Sequence, residues 1–495
     1  MDLKESLLPP IASVDPVSQQ HWLLLGAVNL ALGAVAFAVS HWGGDTDWAV
    51  HGVWCVAVML CNAPAVMLGV RAGVGTLLVD HRFIFLAAYL AYFSFGASLP
   101  AFGSELAAEG VFSFYPITPQ DALWVDGFNG CGIGVALVAA TLLNFPRTAV
   151  IAHLVALRFS KISVTPVLIS MLFVGLIASN YILAIDLGVV DGTPSGLARA
   201  APRLAWVAIL LAAAVRSRDS VVLKVLAGST ALGLAIIGLL QFNKSECLYP
   251  ICTFVLGLAW SRQSTRYLLS GVCFVILLFS LLGDLTATGR NLLDRSDGRS
   301  LGSRMALLGD SYKLVSAGAI DQRYVGWARF CYLSPQVAAI DLRNADRGGD
   351  TFDLLPWVFV PRFLYPEKPE MTKGGRDFNE KVTGNSLSAT GQGAFVAGYY
   401  SGGFWGWAFS AAVAGICIRF LSIISAKILE AGAIVLTPVP LLGVLVAFGI
   451  DGEVVTYHIA TVVLVAYPLF GAWLLIIFGH VSELDRQFST VPRQL

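Results

Sequence analysis

The sequence predicts an all-α polytopic membrane protein with about twelve transmembrane helices and one large extracytoplasmic loop. Of its 495 residues, 56% are hydrophobic and only 13% are charged, whereas a typical soluble protein carries about 25% charged residues. The mean hydropathy of +0.73 points the same way. Apolar runs near the ~20 residues that cross a bilayer as a helix recur along the whole chain. One soluble domain has no need of a dozen such runs.

The apolar runs predict twelve spans and divide the chain into four parts. The spans lie near residues 22–40, 48–70, 83–103, 127–145, 166–185, 203–215, 221–241, 248–260, 267–287, 395–418, 433–450 and 457–478. Residues 146–163 mix apolar and basic positions, which predicts a helix at the membrane interface rather than a span. The four parts are transmembrane helices 1–9 in residues 1–287, a large outer loop in 288–394, transmembrane helices 10–12 in 395–478 and a tail in 479–495.

The distribution of basic residues predicts the orientation. Fifteen Lys and Arg lie in the two termini and in every second connection, and only three lie in the alternate short connections. By the positive-inside rule, both termini are then cytoplasmic. The loop 288–394 falls on the outer side, where its 14 basic and 12 acidic residues predict a densely charged, folded cap. Long loops cross the membrane regardless of their charge.

Four arginines near the start of this loop recur at intervals of four or five residues. They are Arg290, Arg295, Arg299 and Arg304. A helix through this tract would place several guanidinium groups on one face. Because the guanidinium fork donates two parallel hydrogen bonds, such a face suits a diphosphate. The alternative is that these arginines pair with the neighbouring Asp294, Asp297 and Asp310 on a solvated surface.

The loop ends with an apolar, proline-rich stretch. Residues 352–365 are apolar enough to lie along the membrane surface and too proline-broken to cross it. The next residues, PRFLYPEKPE (361–370), crowd three prolines and four charges into ten positions. This pattern predicts a rigid, extended strip that points Arg362, Lys368 and Arg376 towards a ligand half in lipid and half in water. The alternative is a stiff loop whose charges face solvent.

VPRFLYPEKP, followed by TGNSLSATGQGAFVAGYYSGGFWGWAFSAAVAG, resembles the signature of bacterial oligosaccharide repeat-unit polymerases, the O-antigen (Wzy-type) polymerase family. The resemblance covers an aliphatic-Pro-Arg, an aromatic-Pro, a Lys-Pro and a Thr/Gly-rich entry into a span. Tyr365 stands where Trp is common. The matching positions are Pro361, Arg362, Pro366, Lys368 and Pro369, then Tyr399 or Tyr400 with Gly403 and Gly406, and Lys244 as a basic residue before a mid-chain span.

The resemblance implies a glycosyltransferase with a GT-C-like bundle in the bacterial cytoplasmic (inner) membrane. Such an enzyme joins polyprenyl-diphosphate-linked oligosaccharide repeat units into O-antigen, capsule or exopolysaccharide, without metal or cofactor. Its donor and acceptor are both lipid-linked, and its partners are membrane lipid, a chain-length regulator and a flippase. The zero net charge predicts no nucleic-acid partner. With no HExxH, no DxD in the outer loop and no cluster of His and Cys recognised at ligand spacing, the sequence predicts no metal site.

Metal-independent transfer needs cations for the leaving diphosphate and a base for the acceptor hydroxyl. Arg362 and Lys368 are the predicted catalytic cations. The turn IDGEVVTYHIA offers Glu453 and His458 as bases, with Asp451 beside them, and Asp377 and Glu380 are rivals. A carboxylate is the expected partner of His458, because ionisable groups at membrane depth are usually paired. The predicted diphosphate-binding residues are Arg290, Arg299, Arg304, Lys244 and Arg376.

Three other functional classes are compatible with the sequence. A lipid-linked oligosaccharide flippase or another transporter would carry charges inside its spans and often shows internal repeats. An integral acyltransferase would need a reactive histidine deep in the bundle. A non-catalytic membrane component of a polysaccharide export system is the third. The near absence of charge from the predicted spans favours chemistry at the outer surface.

Overall fold

The computed structural model describes residues 17–44, 46–103, 105–160, 162, 164–192, 198, 201–215, 220–294, 300–318, 327–361, 364–385 and 389–489. These residues form helices and turns without any β-strand, so the predicted all-α class is confirmed. Their α-helices, in chain order, are α1 (Gln19–Trp42), α2 (Trp48–Ala72), α3 (Val74–Val79), α4 (Arg82–Leu90), α5 (Leu99–Phe102), α6 (Glu105–Phe112), α7 (Pro119–Leu142), α8 (Pro146–Phe159), α9 (Val164–Asp186), α10 (Pro202–Ala214), α11 (Ser220–Leu240), α12 (Lys244–Arg262), α13 (Thr265–Asp294), α14 (Leu301–Ser316), α15 (Leu333–Asn344), α16 (Leu355–Val358), α17 (Lys373–Thr383), α18 (Ala394–Glu430), α19 (Pro438–Phe448) and α20 (Ala460–Ser489).

Eight helices of the described residues are long and apolar enough to cross a membrane. They are α1, α2, α7, α9, α11, α13, α18 and the segment Val454–Leu474, whose first turn is π-helical. The other four predicted spans coincide with shorter or more polar helices: Arg82–Phe95, Pro202–Ala214, Lys244–Arg262 and Ile434–Phe448. A membrane-embedded helical protein follows from these helices, and the count of twelve spans stays a prediction.

Glycines let α7 pack closely between α1 and α18. A Cβ atom added at Gly33 on α1 would lie 2.4 Å from the backbone nitrogen of Cys131 on α7. One added at Gly415 on α18 would lie 2.1 Å from the carbonyl oxygen of Ala136. Such close approach of two backbones is the usual reason for small residues between membrane helices. These contacts hold the long helix α18 against the first half of the chain.

Gly415→Val should therefore destabilise the protein, because its side chain has no room beside Ala136. Overpacking of this kind costs roughly 1–3 kcal/mol. We expect a lower melting temperature and a smaller monodisperse fraction in detergent. The matched control is Gly233→Val on α11, because no atom lies within 4 Å of a Cβ at Gly233. Equal stability of the two variants would contradict the packing described here.

A second group of helices surrounds α10, which is only 13 residues long. Nearly all its side chains are buried, from Ala205 through Ala214, as expected of a helix that is apolar all round. Glycines again set the spacing. A Cβ at Gly175 on α9 would lie 2.4 Å from that of Ala205, and one at Gly257 on α12 would lie 2.4 Å from the carbonyl oxygen of Leu210.

The predicted outer loop is a folded cap that packs against the bundle. Helix α13 continues to Asp294, so the span runs past residue 287 into the predicted loop. Polar contacts then fasten α15 to the bundle. The Ser334 hydroxyl donates to the carbonyl oxygen of Tyr115 at 2.8 Å, and the side-chain amides of Gln336 and Asn129 exchange two hydrogen bonds of 3.1 Å. The cap is thereby attached to α7, one of the apolar helices.

Candidate functional site

Glu453 is a buried carboxylate at the predicted outer end of the last span. It lies between α19 and the π-helical turn Val454–Ile459, and 8% of it is exposed. Its Oε2 accepts a hydrogen bond from the Thr456 hydroxyl at 3.4 Å, and its Oε1 has no hydrogen-bond partner among the described residues. Burial raises the pKa of Glu453 to about 7. A buried carboxyl poised near neutral pH is a functional-site candidate.

Two elements of the predicted outer loop cover this carboxylate. A Cβ added at Gly374, in the first turn of α17, would lie 3.2 Å from Glu453 Oε1 and 3.1 Å from Thr351 Oγ1. Met371 packs beside an apolar cluster that includes Leu354 and Val455. Glycine at position 374 allows the backbone of α17 to approach the carboxylate closely. The cap and the start of the last span therefore form one site around Glu453.

Asp451 forms hydrogen bonds with two distant segments of the chain beside this site. Its Oδ2 accepts a hydrogen bond from the Tyr332 hydroxyl at 2.9 Å, and its backbone carbonyl accepts one from Gly393 N at 3.1 Å. Burial raises the pKa of the Asp451 carboxyl. The side chain and the backbone of Asp451 both have partners, so this residue helps to position the cap and the start of α18.

His458 is fully buried, and the expected carboxylate partner is not there. Neither Nδ1 nor Nε2 has a hydrogen-bond partner among the described residues. The predicted carboxylate partner of His458 is therefore absent among the described residues. Glu453 and His458 are five positions apart in the sequence, and the turn from Val454 to Ile459 is π-helical. Glu453 precedes that turn with an extended backbone (φ −70°, ψ 139°), and its carboxylate faces Thr456 and Gly374 rather than His458.

The proline-rich strip folds as successive turns. Arg362 and Phe363 lie outside the described residues, so the placement of the predicted catalytic arginine is not tested here. Tyr365 N donates to the carbonyl oxygen of Pro361 at 3.3 Å, and Lys368 N donates to that of Tyr365 at 3.1 Å. The predicted extended conformation is therefore wrong for residues 364–368, because proline also favours turn positions.

Two contacts hold the strip against the bundle. The Tyr467 hydroxyl, on α20, donates to the carbonyl oxygen of Phe359 at 2.6 Å. The Lys368 ammonium donates to the carbonyl oxygen of Val360 at 3.0 Å, which leaves the side chain half-buried. Lys368 therefore lies beside a segment attached to the last span, the same span that begins next to Glu453.

The arginine tract does not form the predicted shared face. Arg290 lies near the end of α13, whereas Arg304 lies on α14, a new helix that Ser300 caps by accepting from Ser303 N. The prediction of one helical face shared by both arginines is therefore wrong, because α14 begins as a separate helix after α13 has ended. Arg295 and Arg299 lie outside the described residues.

Both described arginines of this tract donate to carbonyl groups at helix ends. Arg290 Nη2 donates to Phe242 O at 2.8 Å, and Arg304 donates to Leu240 O at 3.1 Å and to Asp186 O at 2.9 Å. Cations stabilise helix C-termini, whose last carbonyls lack helical partners. Only 6% of Arg304 is exposed. This geometry favours a structural role for Arg304 over diphosphate binding.

The remaining predicted residues are spread over two places. Lys244 begins α12, and its ammonium lies 5.1 Å from the ring centre of Phe279. Arg376 lies on α17 and forms an ion pair with Glu370. Asp377, the next residue of α17, is half-buried. Arg376 and Asp377 are thus close in sequence to Gly374, which contacts the Glu453 site, whereas Lys244 belongs to a different group of helices.

An apolar crevice of about 580 Å³ opens between α9, α10, α19 and α20, within the ~300–1,000 Å³ typical of ligand pockets. Its lining is aliphatic except for Tyr181 and Arg203. Arg203 is exposed at the first turn of α10. Leu445 also lines the crevice, and its carbonyl oxygen accepts a hydrogen bond from the Tyr457 hydroxyl at 3.1 Å. The crevice therefore reaches the turn that carries Glu453.

No known family model, curated protein or solved structure matches this chain. Sequence reasoning singled out Glu453 but not Arg203, which it counted only as one of three basic residues in the sparsely charged connections. The apolar helices on both sides of that arginine were the available signal. The close approach of Gly374 and Thr351 to Glu453 could not be found from local patterns, because those residues are far apart along the chain.

Proposed function

We propose that the protein transfers a lipid-linked oligosaccharide onto a second lipid-linked repeat unit, and so polymerises a surface polysaccharide at the outer face of the bacterial cytoplasmic membrane. The observation that carries the proposal is the Glu453 carboxylate, buried under the cap with a pKa near 7. General bases are most effective when their pKa lies close to the working pH. The type of reaction is taken from the resemblance of residues 361–406 to repeat-unit polymerases.

The crevice supports a lipid-linked substrate. Exposed apolar side chains such as Ile177 and Leu464 line it, and Arg203 is the one cation among the described residues of its lining. An isoprenoid chain would bury apolar surface there, and the guanidinium would receive the diphosphate. The Tyr457 hydroxyl donates to the carbonyl oxygen of Leu445, which lines the crevice, so the crevice lies next to the π-helical turn that follows Glu453.

In the transfer, one bond to the anomeric carbon forms as another breaks. The acceptor sugar's hydroxyl oxygen bonds to the anomeric carbon of the donor as the bond from that carbon to the diphosphate breaks. Glu453 accepts the hydroxyl proton, and the polyprenyl diphosphate leaves with the electron pair of the broken bond. Arg362 and Lys368 of the strip stabilise the charge that develops on the leaving diphosphate. Electrostatic stabilisation of this kind is commonly the largest catalytic term.

Purified protein in liposomes tests the proposal directly. Incubation with polyprenyl-diphosphate-linked repeat units from the cell of origin should yield a ladder of lipid-linked oligomers and release polyprenyl diphosphate. Protein heated before reconstitution is the control. Intact substrate after prolonged incubation with folded protein would overturn the proposal. Movement of labelled substrate between leaflets without a ladder would instead identify a flippase.

Arg203→Ala should weaken substrate binding more than it slows the chemistry. The loss of one charged hydrogen-bond donor costs about 1.5 kcal/mol, or roughly tenfold in KM, with a smaller change in kcat. Steady-state rates of ladder formation measure both constants. Arg266→Ala on α13, another exposed arginine outside the crevice, is the matched control. An unchanged KM in Arg203→Ala would remove the crevice from the substrate path.

A further inference from the structure

Three metal-ligating side chains meet inside the bundle, away from the Glu453 site. His51 and Cys55 lie four residues apart on α2, a spacing that places both on one helix face. Asp126 faces them from α7. All three are buried, with exposed fractions of 0%, 0% and 3%. Imidazole, thiolate and carboxylate are the three side-chain ligand types of protein zinc sites.

The distances fit a single ion. His51 Nε2 lies 3.1 Å from Asp126 Oδ2 and 3.7 Å from Cys55 Sγ. The three ligand atoms lie within 4.8 Å of one another. Zinc bonds of ~2.0–2.3 Å in tetrahedral geometry place neighbouring ligand atoms ~3.3–3.8 Å apart. The distances of 3.1 Å and 3.7 Å need changes of at most a few tenths of an ångström to fit that range.

Two of these three side chains have polar atoms without a hydrogen-bond partner among the described residues. Neither oxygen of Asp126 accepts a hydrogen bond from the described residues, and Nδ1 of His51 has no partner there either. Burial of an unsatisfied carboxylate within a membrane helix is costly, and such groups are usually paired or bound to metal. His51 Nε2 and Asp126 Oδ2 lie 3.1 Å apart and form an ion pair only when the imidazole is protonated. A cation between these atoms would satisfy the carboxylate.

We propose that His51, Cys55 and Asp126 bind one divalent transition-metal ion, with Zn²⁺ the best match to this mixed set of ligands. The ion links α2 to α7 and stabilises the folded bundle, because it binds the assembled site and not the unfolded chain. Water or another group completes four-coordination. The proposal does not rest on the proposed function. It adds a structural metal to a chain whose sequence resembles metal-independent enzymes.

Metal analysis of the full-length protein tests this site. The protein carries a tag without histidines, is grown with zinc and is purified in detergent without chelator. We expect about one zinc per chain by mass spectrometry of the metal content, and a lower melting temperature after extraction with a strong chelator. Re-addition of zinc should restore the melting temperature. Wild-type protein that holds no metal above the detergent blank, even after incubation with zinc, would overturn the proposal.

Variants assign the ion to these ligands. Cys55→Ser and Asp126→Asn should lose most of the metal, whereas Cys61→Ser should keep it, because Cys61 is exposed on the same helix. Cobalt-substituted wild-type protein should show a thiolate-to-cobalt absorption band that Cys55→Ser lacks. Equal metal content in all three variants would place the ion elsewhere and overturn the assignment. If a ligand variant fails to fold, the cobalt band of the wild-type protein still decides whether a thiolate binds the ion.

Discussion

Glu453→Gln should reduce the rate of polymer formation by at least ~100-fold, the lower end of what a general base contributes. Glutamine keeps the shape of the side chain and removes the proton acceptor. Rates of ladder formation at saturating substrate measure the effect. Binding of the lipid-linked substrate should change much less, because this carboxylate acts mainly as the bond forms.

The pH dependence of the wild-type enzyme should report the same group. A general base acts when it is deprotonated, so kcat/KM should rise with pH and reach half its maximum near pH 7, where burial holds the pKa of Glu453. Glu453→Gln should lack this rising limb. Glu430→Gln is the control, because Glu430 lies at the far end of α18 in an exposed ion pair with Lys427. This variant should keep both the wild-type rate and the rise of kcat/KM with pH.

Stability separates a catalytic loss from an unfolded protein. The pKa of Glu453 rises from 4.5 to about 7 on folding, so the folded state binds the proton more tightly than the unfolded state. Folding stability therefore falls as pH rises from about 4.5 to 7, and stays reduced above that range. Glutamine does not ionise, so Glu453→Gln should melt no lower than wild type at pH 8. An inactive variant that is also markedly less stable at pH 8 would contradict the catalytic assignment.

Local patterns predicted the helical class and several apolar helices well, because membrane helices are defined by length and composition. The same patterns failed where partners come from distant parts of the chain. Arg304 looked like a ligand-binding residue until its contacts with Leu240 and Asp186 were known. The prolines predicted a stiff strip, but they could not decide between turns and an extended chain, because proline is favourable in both.

The buried polar groups show the other limit of sequence reasoning. His51 and Asp126 each appear as a single ionisable residue in an apolar run, and the nearly uncharged spans hid their relationship. Their side chains meet only when α2 packs near α7. Glu453 was easier to single out, because it stands at the edge of a span in a short turn with Asp451. Sites at helix ends are thus more visible in this sequence than sites inside the bundle.

Arg362→Ala should abolish polymer and leave single repeat units on the lipid carrier. The resemblance implies that this guanidinium stabilises the leaving diphosphate, and removal of one such donor costs about 10²–10³ in kcat in well-studied enzymes. A polymerase slowed that much cannot extend its product within the lifetime of the substrate. Gel analysis of lipid-linked glycans from cells that express the variant, at matched protein level, measures the outcome.

Arg347→Ala provides the matched control for Arg362→Ala. Arg347 is exposed in the same cap, and its backbone carbonyl, rather than its side chain, accepts the hydrogen bond from Lys381 at 3.5 Å. It should therefore support normal polymer length. Normal polymer length in Arg362→Ala as well would show that Arg362 is not part of the mechanism. The assignment of Glu453 would be unaffected, because the pH profile tests it separately. If Lys at position 362 restores part of the rate, charge alone contributes, and the remaining deficit measures what the planar fork adds.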